Sequence, residues 1–172
     1  ALMERASYES YKQGVPPRAV LVLLAGIDTQ DDRLSLSVWG VGKGEEMFLI
    51  DRVKIYGTPS RPDVWQQLDE ILQTPYTNVN GIKMRIEVAA IDTGGHFTDE
   101  VYNYVRERTK LGMIAIKGIG KLRNDAFLSK PNKIDYGSTG KTRRGSVMLF
   151  SVAVNKIKTQ MHRRLKEAEP GK

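Results

Sequence analysis

Cysteine is absent from the chain, which excludes disulfides and any thiolate metal site. Histidine is scarce, at 2 residues, so a metal held by this protein is held mainly by oxygen, a donor set that suits Mg²⁺ or Mn²⁺. No apolar run approaches the roughly 20 residues that span a bilayer, and the opening Ala1-Leu2-Met3-Glu4-Arg5 lacks the architecture of a signal peptide. The expectation is a soluble, cytoplasmic protein with no membrane partner. Internal repeats are also missing, and 172 residues suit one domain that buries its own core.

Acidic residues are in deficit, with 27 Lys and Arg against 20 Asp and Glu, a net charge of +7. The imbalance is concentrated late. Between Lys117 and Lys166 the only acids are Asp125 and Asp135, whereas Lys117, Lys121, Arg123, Lys130, Lys133, Lys141, Arg143 and Arg144 precede a further basic run at the tail. A stretch so one-sided exceeds what solubility needs and points to contacts with phosphates, which give affinity without reading sequence.

The apolar run Val20 to Ile27 is too continuous for a half-solvated strand and reads as a central strand buried on both faces, ending abruptly on Asp28. Thr29 to Asp32 form a polar turn, and Leu34, Leu36 and Val38 alternate with Ser35, Ser37 and Trp39, so a hairpin follows. Met47 to Tyr56 completes a three-strand antiparallel meander. Pro62 and Asp63 open a helix with Val64, Leu68, Ile71 and Leu72 on one face. Met84 to Ile91 alternates as a further strand and ends on Asp92. A helix with Asp99 and Glu100 first and Arg106 and Arg108 last, stopped by Gly112, leads to a strand at Met113 to Ile116, which implies a parallel pair. Gly120 to Gly145 shows no clear period and reads as a long mobile loop, of the kind that is usually functional or disordered; Val147 to Val154 is a strand and Asn155 to Glu167 a helix.

Two strands that both end on aspartate form the most informative constellation. If the strands are neighbours, two carboxylates about 4 Å apart repel by roughly 4 kcal/mol at an effective dielectric of 20, a cost that a divalent cation removes. The competing interpretation is that each aspartate caps a turn or pairs with Arg33 or Arg85. Asp31 and Asp32 suit hairpin-turn roles, with Asp32 an auxiliary candidate, and His96 beside Gly94-Gly95 is a second one. Gly137 to Thr142 is reminiscent of a phosphate-binding loop but lacks its leading glycine and its strand-to-helix context.

Taken in order, Ala25-Gly26-Ile27-Asp28-Thr29-Gln30-Asp31-Asp32-Arg33-Leu34, Trp39-Gly40-Val41-Gly42 with Gly44-Glu45-Glu46, Tyr56-Gly57 with Ser60-Arg61-Pro62, Ile91-Asp92-Thr93-Gly94-Gly95-His96 and Ile116-Lys117-Gly118 resemble the nuclease domain of the large terminase subunit of lambda-like tailed phages. The match runs from about Val20 to Leu165, and it is carried by the order and spacing of the motifs, no one of which is diagnostic.

The resemblance implies an α/β, RNase H-like mixed sheet, the meander plus parallel strands, flanked by helices. It implies a DNA endonuclease that uses Mg²⁺ or Mn²⁺ to cut concatemeric viral DNA, with Asp28 and Asp92 matching the first two ligand positions. Implied partners are double-stranded DNA, a packaging ATPase domain in the same full-length chain, the small terminase subunit and the portal or procapsid, in the host cytoplasm. Residues 1–18 would be an interdomain linker or arm and 19–172 the nuclease domain, ending before the family's last strand and the helix that carries its third carboxylate. Asn155 stands where relatives often carry aspartate. Alternative readings are another RNase H-like nuclease of the resolvase or integrase type, or a non-catalytic module that docks DNA or packaging proteins.

Overall fold

The computed structural model describes residues 11–136 and 145–166. Its strands are β1 (Val20–Thr29), β2 (Arg33–Gly42), β3 (Met47–Tyr56), β4 (Tyr76–Thr77), β5 (Lys83–Met84), β6 (Ile86–Asp92), β7 (Met113–Ile119), β8 (Asn132–Tyr136) and β9 (Gly145–Ala153). Seven of them form one sheet in the order β3-β2-β1-β6-β7-β9-β8. β4 and β5 make a separate small ribbon, with the Asn78 carboxamide oxygen accepting from the Asn80 and Ile82 amides at 2.9 Å. β1 is antiparallel to β2 and parallel to β6; β6, β7 and β9 run parallel, and β8 closes the edge antiparallel to β9. Helices α1 (Pro62–Gln73), α2 (Thr98–Arg108) and α3 (Val154–Lys166) flank the sheet. This mixed α/β arrangement is RNase H-like.

One face of the sheet is a dry core. Leu23, Ala25 and Ile27 of β1 align with Leu36 and Val38 of β2 and with Ala89 and Ile91 of β6, and all are buried. Val64 and Leu68 of α1 and Val101, Tyr104 and Val105 of α2 cover them, the latter spaced i, i+3, i+4 as one helical stripe demands. The two helices are pinned to each other at Asp69. Its carboxylate accepts two bonds from Arg108, each 2.7 Å, and one from the Tyr104 hydroxyl at 2.7 Å, while Tyr104 stacks on Trp65. The loop after α2 ends on Gly112 at φ 80, where a Cβ would lie 2.2 Å from the Glu87 carbonyl oxygen, so only glycine fits this close approach to β6.

The opposite face is not buried in the same way, which corrects the expectation that β1 is covered on both sides. α3 leaves β9 beside Gly118, whose Cβ would meet Val154 at 2.9 Å, and ends with Arg164 paired at 2.8 Å to Glu45 in the β2–β3 turn. It therefore crosses this second face with a narrow apolar stripe, and Met161 and Leu165 stay 53% and 51% exposed. Leu24 and Gly26 consequently remain only half-buried.

The segment from Gly120 is also more ordered than its composition suggests. Leu128 bridges Val152, and β8 pairs Asn132 through Tyr136 with β9. Ile134 and Tyr136 alternate with exposed Lys133 and Asp135, a period-two signal too short to stand out among basic and glycine residues. Tyr136 is buried against Tyr102 and its hydroxyl bonds Asn103 of α2. The described part of the leading segment lies on β3: Tyr11 donates to the Leu49 carbonyl, the Gly14 amide bonds the Ile50 carbonyl, and Pro16 is buried. Among the described residues no helix is long and apolar enough to cross a membrane.

Candidate active site

Asp28 and Asp92 are brought together by the pairing of β1 with β6. The parallel register aligns Ile27 with Ile91, so the next residues on each strand stand side by side at the carboxyl ends, with Cα atoms about 4.8 Å apart. Because Ile27 and Ile91 point into the core, both aspartates point to the second face, Asp28 exposed and Asp92 half-buried. The backbone here is held firmly. Thr29 and Thr93 are buried; the Thr29 hydroxyl donates to the Asp92 carbonyl at 3.3 Å, and the Thr93 amide and hydroxyl donate to the Ile116 carbonyl at 2.9 and 3.0 Å.

Each carboxylate has one oxygen engaged locally. The Gln30 carboxamide donates to Asp28 Oδ2 at 2.7 Å, and the Gly94 amide donates to Asp92 Oδ1 at 3.3 Å. Asp28 Oδ1 and Asp92 Oδ2 accept no hydrogen bond among the described residues, and neither aspartate forms a salt bridge there. Arg33, a candidate partner on sequence grounds, instead pairs with Asp32 at 3.1 Å. The turn-capping interpretation thus accounts for one oxygen of Asp92 and leaves the other. Gly94 keeps that oxygen open: a Cβ at this position would sit 3.2 Å from Asp92 Oδ2. Two hard oxygen donors on adjacent strands, unpaired with any cation of the described residues, fit a divalent ion of the Mg²⁺ or Mn²⁺ kind. Among the described residues no cluster of three or more His, Cys, Asp or Glu side chains is disposed to hold a metal.

The auxiliary candidates fall nearby. His96 Nδ1 lies 2.9 Å from Asp31 Oδ1, both side chains exposed, which leaves Nε2 as the outward nitrogen. The hydrogen bond to Asp31 and its negative charge raise the His96 pKa above its ordinary value. The turn that carries His96 is tied back by the Thr98 hydroxyl, which is 3.0 Å from the carbonyls of both Thr93 and Gly95. Asp32 is occupied by Arg33 as a hairpin-turn pair.

Of the predicted phosphate contacts, Lys117 is exposed at the carboxyl end of β7, one residue past Ile116, the register partner of Asp92. Lys121 and Arg123 are exposed on the following segment, and Lys130 and Lys133 are exposed at the β8 edge, farther from the aspartates. Lys141, Arg143 and Arg144, like the Gly137 to Thr142 segment, lie outside the described residues. Sequence reasoning missed Gln30 and Gly94, which orient the carboxylates; the only available signal was their position two residues after each aspartate. A cleft of ≈ 640 Å³ between Gly14, β3 and the end of α1 lies at Asp51 and Val53 of β3, away from the carboxylates.

Fold and site together define an RNase H-like α/β domain with an acidic pair at the carboxyl ends of its central parallel strands. Residues 1–172 match the family described as terminase large subunit gpA, endonuclease domain. The chain belongs to that family. It is 34% identical over 156 residues to the terminase large subunit of Escherichia phage lambda, covering 91% of this chain and 23% of that protein. To the terminase large subunit of Enterobacteria phage P21 it is 33% identical over 108 residues, covering 63% of this chain and 17% of that protein. The chain therefore spans about a quarter or less of the length of these relatives. A solved Ppx/GppA family member from Aquifex aeolicus aligns with a TM-score of 0.35 and 11% identity over 74% of this chain and 51% of that one, a likeness too slight to bear on the fold.

Proposed function

We propose that this domain is a metal-dependent DNA endonuclease that cuts concatemeric viral DNA during packaging by two-metal phosphodiester hydrolysis. The observation that carries the reading is the side-by-side placement of Asp28 and Asp92, each with one unengaged oxygen, at the open end of the central strands. Divalent cations supply Lewis acidity at a phosphoryl group and lower the pKa of water. The protein's own contribution is positional. Gln30 and the Gly94 amide orient the carboxylates, and the Thr29 and Thr93 hydroxyls fix the strand ends so that the two acids keep their spacing. Lys117 and the basic segment beyond it hold the phosphates, and His96, set by Asp31, stands beside the site as an auxiliary proton-transfer group.

By the family resemblance a third acid completes such a site, and among the described residues none stands at the pair; the chain is expected to bind DNA and to cleave it poorly. The partners in the assembled machine are double-stranded DNA, the packaging ATPase of the same polypeptide, the small subunit and the portal, in the host cytoplasm. The test is plasmid nicking in Mn²⁺ by the full-length protein and by this chain, each with and without Asp28→Asn. Cleavage by the full-length protein that Asp28→Asn abolishes supports the reading. Absence of metal-dependent cleavage by a folded full-length protein refutes it in favour of a DNA-docking module.

A further inference from the structure

A second cleft opens beyond the carboxyl ends of β7 and β9, between α3 and the segment that follows β7. That segment turns at Leu122 to Asp125, where the Asp125 amide bonds the Leu122 carbonyl and Asp125 itself adopts φ 52. It then returns beside β9, with the Ala153 amide on the Phe127 carbonyl at 2.9 Å and the Ser129 amide on the Ser151 carbonyl at 2.9 Å. α3 starts directly from β9, its Asn155 amide bonding the Gly120 carbonyl. Lys156 latches helix to turn: its ammonium donates to the Asp125 carbonyl and, at 2.9 Å, to the Asp125 carboxylate, while lying 4.7 Å above the Phe127 ring. A space of ≈ 610 Å³ remains, lined by Lys121, Phe127, Asn155, Gln160 and Arg163 among others.

The chemistry of this lining is one-sided. Its single acid, Asp125, is neutralised by Lys156, whose hydrogen bond and charge hold the carboxyl below its usual pKa, with Lys121 adding to the effect. Lys121 and Arg163 are then the net charge of the cleft, accompanied by the Asn155 and Gln160 amides and by one face of Phe127, which is 41% exposed. Cations, amide donors and an apolar plane together match a sugar-phosphate backbone, whose phosphates need charge and whose sugar or base needs a flat apolar contact. The position fits as well. β9 lies two strands from β6, about 10 Å, and Gly120 is four residues beyond the Ile116 that pairs with Asp92, so the cleft sits on the order of 10–15 Å from the acidic pair.

We infer that the cleft between α3 and residues 120–127 is a subsite for the DNA backbone a few nucleotides away from the phosphate at Asp28 and Asp92, with Lys121 and Arg163 as its phosphate contacts. This rests on the reading of the domain as a DNA endonuclease and deepens it: Lys121 already belongs to the basic segment after β7, and the cleft adds Arg163, Asn155 and Gln160 of α3 as the other wall of one backbone subsite. At 3.4 Å per base-pair step, the separation corresponds to about three to four steps. Lys156 is the positioning residue that keeps the turn against the helix; Lys121 and Arg163 are exposed and remote from the core, so truncating them leaves the fold intact.

The experiment is fluorescence anisotropy of a labelled 20-base-pair duplex with this chain in metal-free buffer across a salt series, for wild type, Lys121→Ala, Arg163→Ala, the double variant and Lys83→Ala. Lys83 is an exposed cation on β5, at the opposite end of β6 from Asp92. Each cleft variant is expected to weaken binding by about eight-fold at 0.1 M salt and to reduce the salt slope by about 0.9, the double variant to do both about additively, and Lys83→Ala to do neither. Circular dichroism melts establish that each variant is folded. Unchanged affinity and slope in the double variant, with wild type binding duplex, overturn this subsite and leave the nuclease reading standing. Failure of wild type to bind duplex at all also overturns the subsite, whereas the nuclease reading stands or falls separately on metal-dependent cleavage by the full-length protein. Saturation of the cleft by a deoxynucleoside monophosphate at micromolar concentration, with no effect of the variants on duplex binding, would make it a mononucleotide site and also overturn the inference.

Discussion

Replacing Asp28 with asparagine tests whether the acidic pair is a metal site, because it has opposite consequences with and without a cation. At the ordinary spacing of neighbouring strands, about 5 Å, two carboxylates repel by about 3 kcal/mol at an effective dielectric of 20 and by about 0.8 kcal/mol in bulk water. Asp28 is exposed and Asp92 half-buried, so the repulsion is screened toward the lower figure, about 1 kcal/mol. An asparagine in place of Asp28 still accepts from Gln30 through its carbonyl oxygen, so the local hydrogen bond at 2.7 Å survives and the removed charge dominates. In metal-free buffer at low ionic strength Asp28→Asn is therefore expected to raise Tm by about 2–4 °C. Mn²⁺ at a hundred times its dissociation constant stabilises the wild type by about 2.7 kcal/mol, and the variant is expected to lose most of that gain. Differential scanning calorimetry of both proteins in chelator and in MnCl₂ reads both effects. A variant that melts lower than wild type without metal, or that gains as much from Mn²⁺, would refute the argument that the pair is mutually repelling and cation-binding.

Asp69 anchors α1 to α2, and Asp69→Ala, which strips Arg108 and Tyr104 of their acceptor, is expected to cost about 2 kcal/mol in urea denaturation. Burial raises the Asp69 pKa, but the hydrogen bonds from Arg108 and Tyr104 outweigh it and hold the carboxyl below its usual range. A depressed folded pKa means that this stability is full above the unfolded value of about 3.9 and is lost as pH falls through the folded value, so wild type should lose stability below about pH 4 more steeply than Asp69→Asn. Gly112→Ala forces a Cβ toward the Glu87 carbonyl at positive φ and should destabilise the domain by about 2 kcal/mol or more, read as a fall in Tm. In a proton NMR titration His96 should titrate above its ordinary value and move down in Asp31→Asn; an unchanged midpoint would show that the pair does not form in solution.

The features legible along the chain were local ones. Each apolar run, its alternation and the residue that ends it are set by sequence neighbours. β1, the meander, β3 from Met47 to Tyr56, α2 with its dipole-matched charges and the glycine stop at Gly112 were therefore all readable. The two aspartates were visible as strand-ending residues for the same reason. Their adjacency was not, because nothing along the chain places β6 rather than another strand against β1; that order follows from burying Ile27, Ile91 and Ala115 under α1 and α2 at once. Gln30 and Gly94 acquire their role only when the strand ends meet. β8 was hidden because a short edge strand buries only Tyr136 and half-buries Ile134, and Tyr136 finds its partners, Tyr102 and Asn103, on α2. The half-open second face and the cleft beside Phe127 were likewise decided by where α3 crosses the sheet, a long-range packing choice that its own basic and weakly apolar sequence does not state.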